Sequence, residues 1–208
     1  MNARRLIAVL ASALALSACP YQPVLDEPCE YAAGTGNCFD EERSFVFDDA
    51  RVDAMDLASL PQSPAACRDP ERGRLVTVAD GDTFDVLTDD GEMLRVRLLG
   101  ADTPETYDAT GMLHCYGADA KIFSEQLLGR RVALTFDRGC MDRFDRTLAY
   151  LWLGPGENDL WQRQLIRRGY ASVLVLAPND FMESTFRGDE GIANAERRGL
   201  WEECRSEP

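Results

Sequence analysis

Histidine is almost absent from this sequence of 208 residues, and no two cysteines form a Cys-x-x-Cys pair. The single histidine, His114, excludes catalytic centres built on paired or metal-bound histidines, and the missing cysteine pairs argue against a structural zinc site. Because a lone histidine beside a cysteine is more often solvated than catalytic, we expect no catalytic role for His114.

A surplus of positive charge is also missing. The chain has 22 lysines and arginines against 36 aspartates and glutamates, which gives a net charge of −14. Residues 19–70 contain 11 acidic and 3 basic side chains, and residues 71–208 contain 25 and 17, so each part carries −8. Such a chain has no long-range attraction for a polyanion. Binding of a polyanion would depend on a local arginine cluster and a bound cation.

Apolar runs long enough to span a bilayer are absent too. The run from Leu6 to Leu16 is too short for a transmembrane helix, and it follows two arginines as a signal peptide does. It ends in Leu-Ser-Ala-Cys, which resembles the lipobox of bacterial lipoproteins. We therefore predict a signal peptide over residues 1–18 and lipid attachment at Cys19, with the protein anchored to the cell envelope. Pro20 after the cysteine favours the outer membrane; the alternative is secretion after cleavage behind Ala18.

Six cysteines remain if Cys19 carries lipid, and an even number in an exported chain indicates disulfides. Sequence alone does not choose among the 15 full pairings that six cysteines allow. As working guesses we expect Cys29–Cys38, Cys115–Cys140 and Cys67–Cys204.

The chain divides near residue 70. Residues 19–70 mix proline, glycine and acidic residues without a period and predict a largely irregular tether. Alternating or β-rich runs then predict strands, and apolar residues at helical spacing predict helices. The predicted strands are 75–78, 83–87, 93–99, 132–136, 147–153 and 172–176; the helices surround Phe123, run from Asp159 to Arg168, and lie between residues 180 and 198. This order predicts an α+β domain over residues 71–204, a five-stranded OB-fold β-barrel with about three packed helices, followed by a tail, 205–208.

Acidic side chains stand at the ends of two predicted strands. Asp82 lies in Asp-Gly-Asp-Thr, and Asp102 lies in Asp-Thr-Pro-Glu. Two carboxylates that converge with a backbone carbonyl form a hard-oxygen site of the kind that calcium or magnesium prefers. An EF-hand is excluded, because the fifth and twelfth positions counted from Asp80 are Phe84 and Gly91.

Arginines on two further strands complete the pattern. Arg97 precedes Leu98-Leu99, and Arg146 lies in Asp-Arg-Phe-Asp-Arg-Thr-Leu-Ala-Tyr. Two guanidiniums and a cation can neutralise the charge that a phosphodiester gains during hydrolysis, and Glu105 can accept a proton from attacking water. Each motif alone is also typical of a turn or a solvated surface, but their joint order favours a catalytic site.

The motifs from Gly73 to Trp201 resemble those of the staphylococcal nuclease, or thermonuclease, family. The resemblance implies an OB barrel that cleaves DNA and RNA with little sequence preference and leaves 3′-phosphates. It implies that Asp82, Asp102 and the Thr103 carbonyl bind Ca²⁺. It also implies that Glu105 acts as general base, and that Arg97 and Arg146 clamp the scissile phosphate.

The sequence departs from the family at two tyrosines. Phe144 replaces one, so a hydroxyl contact to a terminal phosphate is lost, and Leu174 or Val175 replaces the other. We assign Arg143 and Phe144 to substrate binding, with Arg143 supplying charge. Two alternatives stay open: a non-catalytic OB-fold module that binds nucleic acid at the cell surface, and an adhesion lipoprotein. We expect a monomer without a protein partner.

Overall fold

The computed structural model describes residues 47–107 and 114–204. Its strands are β1 Glu71–Asp80, β2 Thr83–Thr88, β3 Met93–Leu98, β4 Gly100–Asp102, β5 Arg131–Thr135, β6 Thr147–Trp152 and β7 Ser172–Leu174. Its helices are α1 Asp49–Ala54, α2 Gly117–Glu125, α3 Trp161–Arg167, α4 Glu183–Ala195 and α5 Leu200–Glu203. Five strands close into a barrel in the order β1-β2-β3-β6-β5, and β4 pairs with β7 outside it. The predicted OB barrel with packed helices is confirmed.

Strand pairing sets where the ends of the barrel strands meet. β1, β2 and β3 are antiparallel neighbours, and Gly91, at φ 92°, lies in the turn from β2 to β3. β3 runs parallel to β6, and antiparallel pairing of β1 with β5 closes the barrel. The turn between β1 and β2 therefore lies beside the end of β3, where Thr83 is opposite Arg97.

The barrel interior is filled by the apolar residues that alternate along each strand. Those with no exposed surface include Leu75, Phe84, Val86, Val96, Leu98, Val132, Leu134, Ala149 and Leu151. An aromatic stack joins the helices to this core, because the Phe123 ring of α2 lies 4.8 Å from Trp161 and 4.4 Å from Tyr170. The core thus continues from the barrel into the helices.

Two predicted elements differ from the structure. Asp159 does not cap a helix: it ends a short 3-10 turn, where its carboxylate accepts a hydrogen bond from Gly156 N at 2.8 Å and pairs with Arg51. The helix begins two residues later, at Trp161. The strand at 172–174 is short because it pairs with β4 and takes no part in the barrel.

Part of the predicted tether is folded. Val52, Met55 and Leu60 are buried in the core. Arg51 binds Asp159 through two hydrogen bonds of 3.1 and 2.7 Å, and Arg72 donates to carbonyl oxygens at the end of α1. Residues 47–70 therefore pack against the barrel as an N-terminal segment, because their apolar side chains and α1 carbonyls find partners there. The packed structure thus includes residues that precede residue 71, the predicted start of the barrel domain.

The disulfides also differ from the guesses. Cys67 bonds to Cys140, and Cys115 bonds to Cys204. Cys67 lies beside Cys140 because the N-terminal segment runs along the end of β5, where Cys67 N donates to Asp137 O at 2.8 Å. The pairings Cys115–Cys140 and Cys67–Cys204 were wrong. Cys29–Cys38 and the lipid site Cys19 lie outside the described residues.

None of the helices within residues 47–107 and 114–204 has the length and apolar character needed to cross a bilayer.

Candidate active site

Asp82 lies in the turn between β1 and β2 and is 4 % exposed. Its Oδ2 accepts a hydrogen bond from Thr103 N at 2.8 Å, and its Oδ1 accepts one from Thr83 Oγ1 at 3.2 Å. The same carboxylate forms an ion pair with Arg97. The carboxylate therefore has a single defined orientation, which is set by three neighbouring elements.

Arg97 brings the two predicted acidic ligands together. Its side chain is almost buried, and a second terminal nitrogen, Nη2, lies 2.5 Å from Asp102 Oδ1. Asp82 and Asp102 are 20 residues apart in sequence, yet both carboxylates contact one guanidinium. The predicted convergence of these two acids is thus present in the fold, with Arg97 between them.

Burial changes the acidity of Asp82. Desolvation raises its pKa to about 7; the positive charge of Arg97 opposes this rise, and the nearby carboxylate of Asp80 adds to it. Burial therefore disfavours the charged form of this carboxylate. A divalent cation beside it would favour that form.

Arg146 lies in a tight loop between β5 and β6. Asp142 organises the loop: its Oδ1 accepts from Phe144 N at 2.8 Å and from Arg146 N at 3.0 Å, and its Oδ2 accepts from Arg146 Nε at 2.7 Å. Asp145 adopts φ 59°, which lets the loop turn back. Burial raises the pKa of Asp142, but the hydrogen bonds from Arg146 and Phe144 outweigh it, and the pKa is lowered.

The two arginines lie near each other at Asp82. Arg146 Nη1 lies 3.4 Å from Thr83 Oγ1, which in turn bonds to Asp82. Because Arg97 is ion-paired with Asp82, both guanidiniums lie on the Asp82 side of the barrel. The structure therefore brings Arg97, Arg146 and Asp82 to one place. Their chemical roles stay predictions.

Glu105 is exposed and follows Asp102 by three residues. Helix α2 begins against its backbone: a Cβ atom added at Gly117 would lie 2.1 Å from Glu105 O. The Glu105 backbone is thus packed against the start of α2, and the residue is exposed. His114 is exposed; its backbone amide donates to Thr106 O, and its carbonyl accepts from Gly117 N at the start of α2.

The predicted substrate-binding pair lies beside Arg146. Phe144 is 62 % exposed, an unusual position for a phenylalanine. Its ring lies 4.6 Å from the Arg143 guanidinium and 5.4 Å from that of Arg146. The loop therefore presents an apolar ring between two positive charges.

Two contributors to the site were not predicted to have a role. Asp142 holds Arg146, and the Asp-x-x-x-Arg spacing would have indicated it. Ser124, in α2, donates to Gly81 O at 2.7 Å, next to Asp82. Nothing in the sequence distinguishes Ser124 from an ordinary small residue on a buried helix face.

The donor chemistry fits a weakly held hard cation. Asp82 and Asp102 supply two convergent carboxylates, and Thr103 Oγ1 is buried without a hydrogen-bond partner in the described part of the chain. Within the same residues, no three acidic, histidine or cysteine side chains cluster closely enough to enclose a metal. The protein ligands would thus be few, and water would complete the coordination.

Similarity to known proteins identifies the family of this chain. A family model described as staphylococcal nuclease homologue matches residues 95–203, more than half of the chain. The chain belongs to the staphylococcal nuclease family. The matched part of this nuclease-family chain contains Arg97, Asp102, Glu105 and Arg146, and begins after Asp82.

Individual relatives agree with the family assignment. The chain is 36 % identical to the thermonuclease of Staphylococcus intermedius over 126 residues, 60 % of this chain and 73 % of that protein. It is 30 % identical to the thermonuclease of Staphylococcus hyicus over 129 residues, 62 % and 74 % of the two chains. It is 34 % identical to an SPbeta prophage-derived endonuclease of Bacillus subtilis over 125 residues, 59 % of this chain and 41 % of that protein.

Proposed function

We propose that this chain is a calcium-dependent nuclease that hydrolyses DNA and RNA with little sequence preference and leaves 3′-phosphates. The observation that carries the proposal is that Arg97 and Arg146 both lie beside the buried carboxylate of Asp82, Arg97 through a direct ion pair and Arg146 through Thr83. Relatives named thermonuclease and endonuclease support the nuclease activity itself.

The two guanidiniums would bind the scissile phosphate. Each offers planar N–H donors that match phosphate oxygens in bidentate geometry, and their charge opposes the negative charge that develops during reaction. Arg146 is partly exposed and can reach substrate directly. Arg97 is already paired with Asp82 and Asp102, so it would share its donors between the protein and the phosphate.

The chemical step is a hydrolysis. Water adds to phosphorus, the P–O5′ bond breaks, the released 5′ oxygen takes up a proton, and the phosphate stays on the 3′ end of the other fragment. Glu105, an exposed residue three positions after Asp102, would accept the proton of the attacking water. Asp82, Asp102 and Thr103 would hold Ca²⁺, which when bound supplies positive charge beside the phosphate.

The acidic surface predicts the mode of substrate binding. With a net charge of −14, the protein lacks the broad positive surface that gives tight, salt-dependent binding of long duplexes. We therefore expect a high KM and weak affinity for duplex DNA at physiological salt.

The N-terminus would place this activity at the cell envelope. The apolar run before Leu-Ser-Ala-Cys supports export and lipid attachment at Cys19. Incorporation of labelled palmitate into the wild-type chain but not into Cys19→Ala tests the anchor. Equal labelling of both would contradict it.

A cleavage assay tests the enzyme. Single-stranded DNA and RNA are incubated with the protein in calcium and then in chelator, and mass spectrometry of the products identifies the terminal phosphate. Cleavage in calcium alone, with 3′-phosphate ends, is expected. Glu105→Gln should lose activity by about 100-fold or more, whereas Glu157→Gln, at a side chain 83 % exposed, is the control and should not.

Each negative result of this assay would contradict a different part of the proposal. Binding of the substrate without cleavage, in calcium and in chelator, would favour the non-catalytic binding module. Cleavage that persists in chelator would remove the metal from the proposal. Full activity of Glu105→Gln would remove the general base.

A further inference from the structure

The peptide group that precedes Asp82 is held by side chains on both sides. Its carbonyl oxygen, Gly81 O, accepts a hydrogen bond from Ser124 Oγ at 2.7 Å. Its amide, Asp82 N, donates to Asp80 Oδ1 at 3.2 Å. Since this peptide plane sets the direction in which the Asp82 side chain leaves the backbone, the two hydrogen bonds orient the carboxylate.

Ser124 is itself fixed. It has no exposed surface, and its Oγ accepts a hydrogen bond from Trp161 Nε1 at 3.3 Å. Trp161 is fully buried and stacks on Phe123 with ring planes 9° apart. A rigid relay therefore runs from α3 through α2 to the β1–β2 turn: Trp161, Ser124, Gly81.

The same turn is packed against the other candidate ligand. A Cβ atom added at Gly81 would lie 2.7 Å from Thr103 Cγ2 and 2.8 Å from Thr103 Oγ1. Thr103 N in turn donates to Asp82 Oδ2 at 2.8 Å. A shift of the Gly81 carbonyl would thus move Asp82 relative to Thr103, and it would weaken the hydrogen bond between them.

We propose that Ser124 is a positioning residue for the active site, which holds Asp82 against Thr103 through its hydrogen bond to Gly81 O. The effect of Ser124 on the hydrogen bond between Asp82 and Thr103 can be measured in the protein without bound metal. Its consequence for calcium affinity rests on the proposed function.

The chain contains a matched control. Thr135 is fully buried, donates to Pro61 O at 3.0 Å and accepts from Trp152 Nε1 at 2.9 Å. This relay has the same chemistry, tryptophan to hydroxyl to carbonyl, but supports the N-terminal segment. Close to it, Ser63 N donates to Phe136 O at 3.4 Å.

The test compares Ser124→Ala and Thr135→Val in the full chain. Alanine favours helix and is smaller than serine, so Ser124→Ala is expected to fold. Native-state amide exchange is measured without metal. Loss of one buried hydrogen bond in Ser124→Ala should accelerate exchange of the Thr103 amide by about tenfold and leave the Ser63 amide unchanged. Thr135→Val should accelerate exchange of the Ser63 amide by about tenfold and leave the Thr103 amide unchanged. Ser124→Thr keeps the hydroxyl and should protect Thr103 as wild type does.

Calcium titration calorimetry gives the second readout. Ser124→Ala should bind calcium about tenfold more weakly than wild type, and Thr135→Val should bind it as wild type does. Equal acceleration of Thr103 exchange in the two variants, or none in Ser124→Ala, would overturn the positioning role. If wild type binds no calcium, the proposed metal fails, and Thr103 exchange still decides the role of Ser124.

Discussion

Arg97 and Arg146 approach the carboxylate of Asp82 from two different kinds of backbone, Arg97 by a direct ion pair and Arg146 through Thr83. Arg97 extends from a barrel strand, is 5 % exposed and is paired with two carboxylates. Arg146 extends from a short loop, its side chain is 27 % exposed, and it is ion-paired with Asp142, four residues earlier. The Arg97 side chain is thus buried within the fold, whereas the Arg146 side chain is partly accessible to solvent. If the proposed function holds, we expect the first to serve both stability and catalysis, and the second to serve mainly catalysis.

The largest effect is expected from Arg97→Gln. It leaves the buried carboxylate of Asp82 without its cation, so the free energy of unfolding should fall by about 3 kcal/mol, and cleavage should fall by about 100-fold or more. Urea denaturation and the cleavage assay measure the two losses. Arg95→Gln, on the same strand but paired with Asp85 at the surface, is the control and should cost less than about 1 kcal/mol. Equal losses in the two variants would contradict the structural role of Arg97.

The next effect is expected from Arg146→Gln. Cleavage should again fall by about 100-fold to 1000-fold, but the free energy of unfolding should change by no more than about 1 kcal/mol, because the lost ion pair is local and partly solvated. The same two assays apply. A destabilisation as large as that of Arg97→Gln would remove the difference between the two arginines.

A smaller effect is expected from Asp142→Asn, which keeps the loop's shape but weakens the hold on Arg146 Nε. Cleavage should fall by about tenfold through misplacement of the guanidinium. Because the pKa of Asp142 is lowered in the folded state, its contribution to stability is present above the ordinary aspartate range and is lost as pH falls below it. The stability difference between wild type and Asp142→Asn should therefore shrink between pH 7 and pH 3 in denaturant titrations. A constant difference would contradict this assignment.

The smallest effect is expected from Phe144→Tyr. The exposed ring would regain a hydroxyl, and the KM for oligonucleotides that carry a terminal phosphate should fall by about fivefold, with kcat unchanged. Phe181→Tyr, at another partly exposed phenylalanine, is the control. Equal changes for substrates with and without the phosphate would show that the hydroxyl does not contact it.

Local patterns were sufficient to predict the barrel. Alternation along residues 93–98 and the Asp-Asp-Gly turn identify β2 and β3, and the acidic and arginine motifs were assigned to one site because of their order. The structure shows why they meet: strand register places Thr83 opposite Arg97. Periodicity could not distinguish the strand at residue 172 from a barrel strand, because its partner is the irregular β4.

Contacts between distant segments could not be predicted in the same way. Arg51 and Asp159 are 108 residues apart, and neither stands in a motif. Cys67 and Cys140 pair only because the N-terminal segment lies along the end of β5, a position that Pro- and Asp-rich composition does not indicate. The positioning role proposed for Ser124 could not be predicted for a different reason. It depends on a hydrogen bond to a backbone carbonyl, and every residue has a carbonyl, so the sequence does not indicate which one is bound.

The packing of residues 47–70 limits how far from a membrane the enzyme could work. If Cys19 carries lipid, only the 28 residues from there to Phe47 connect the anchor to the folded body. A chain of that length extends to at most about 100 Å. The active site would then be confined to a shallow layer above the bilayer. Nucleic acid that enters that layer would be cleaved, whereas nucleic acid in the surrounding medium would not.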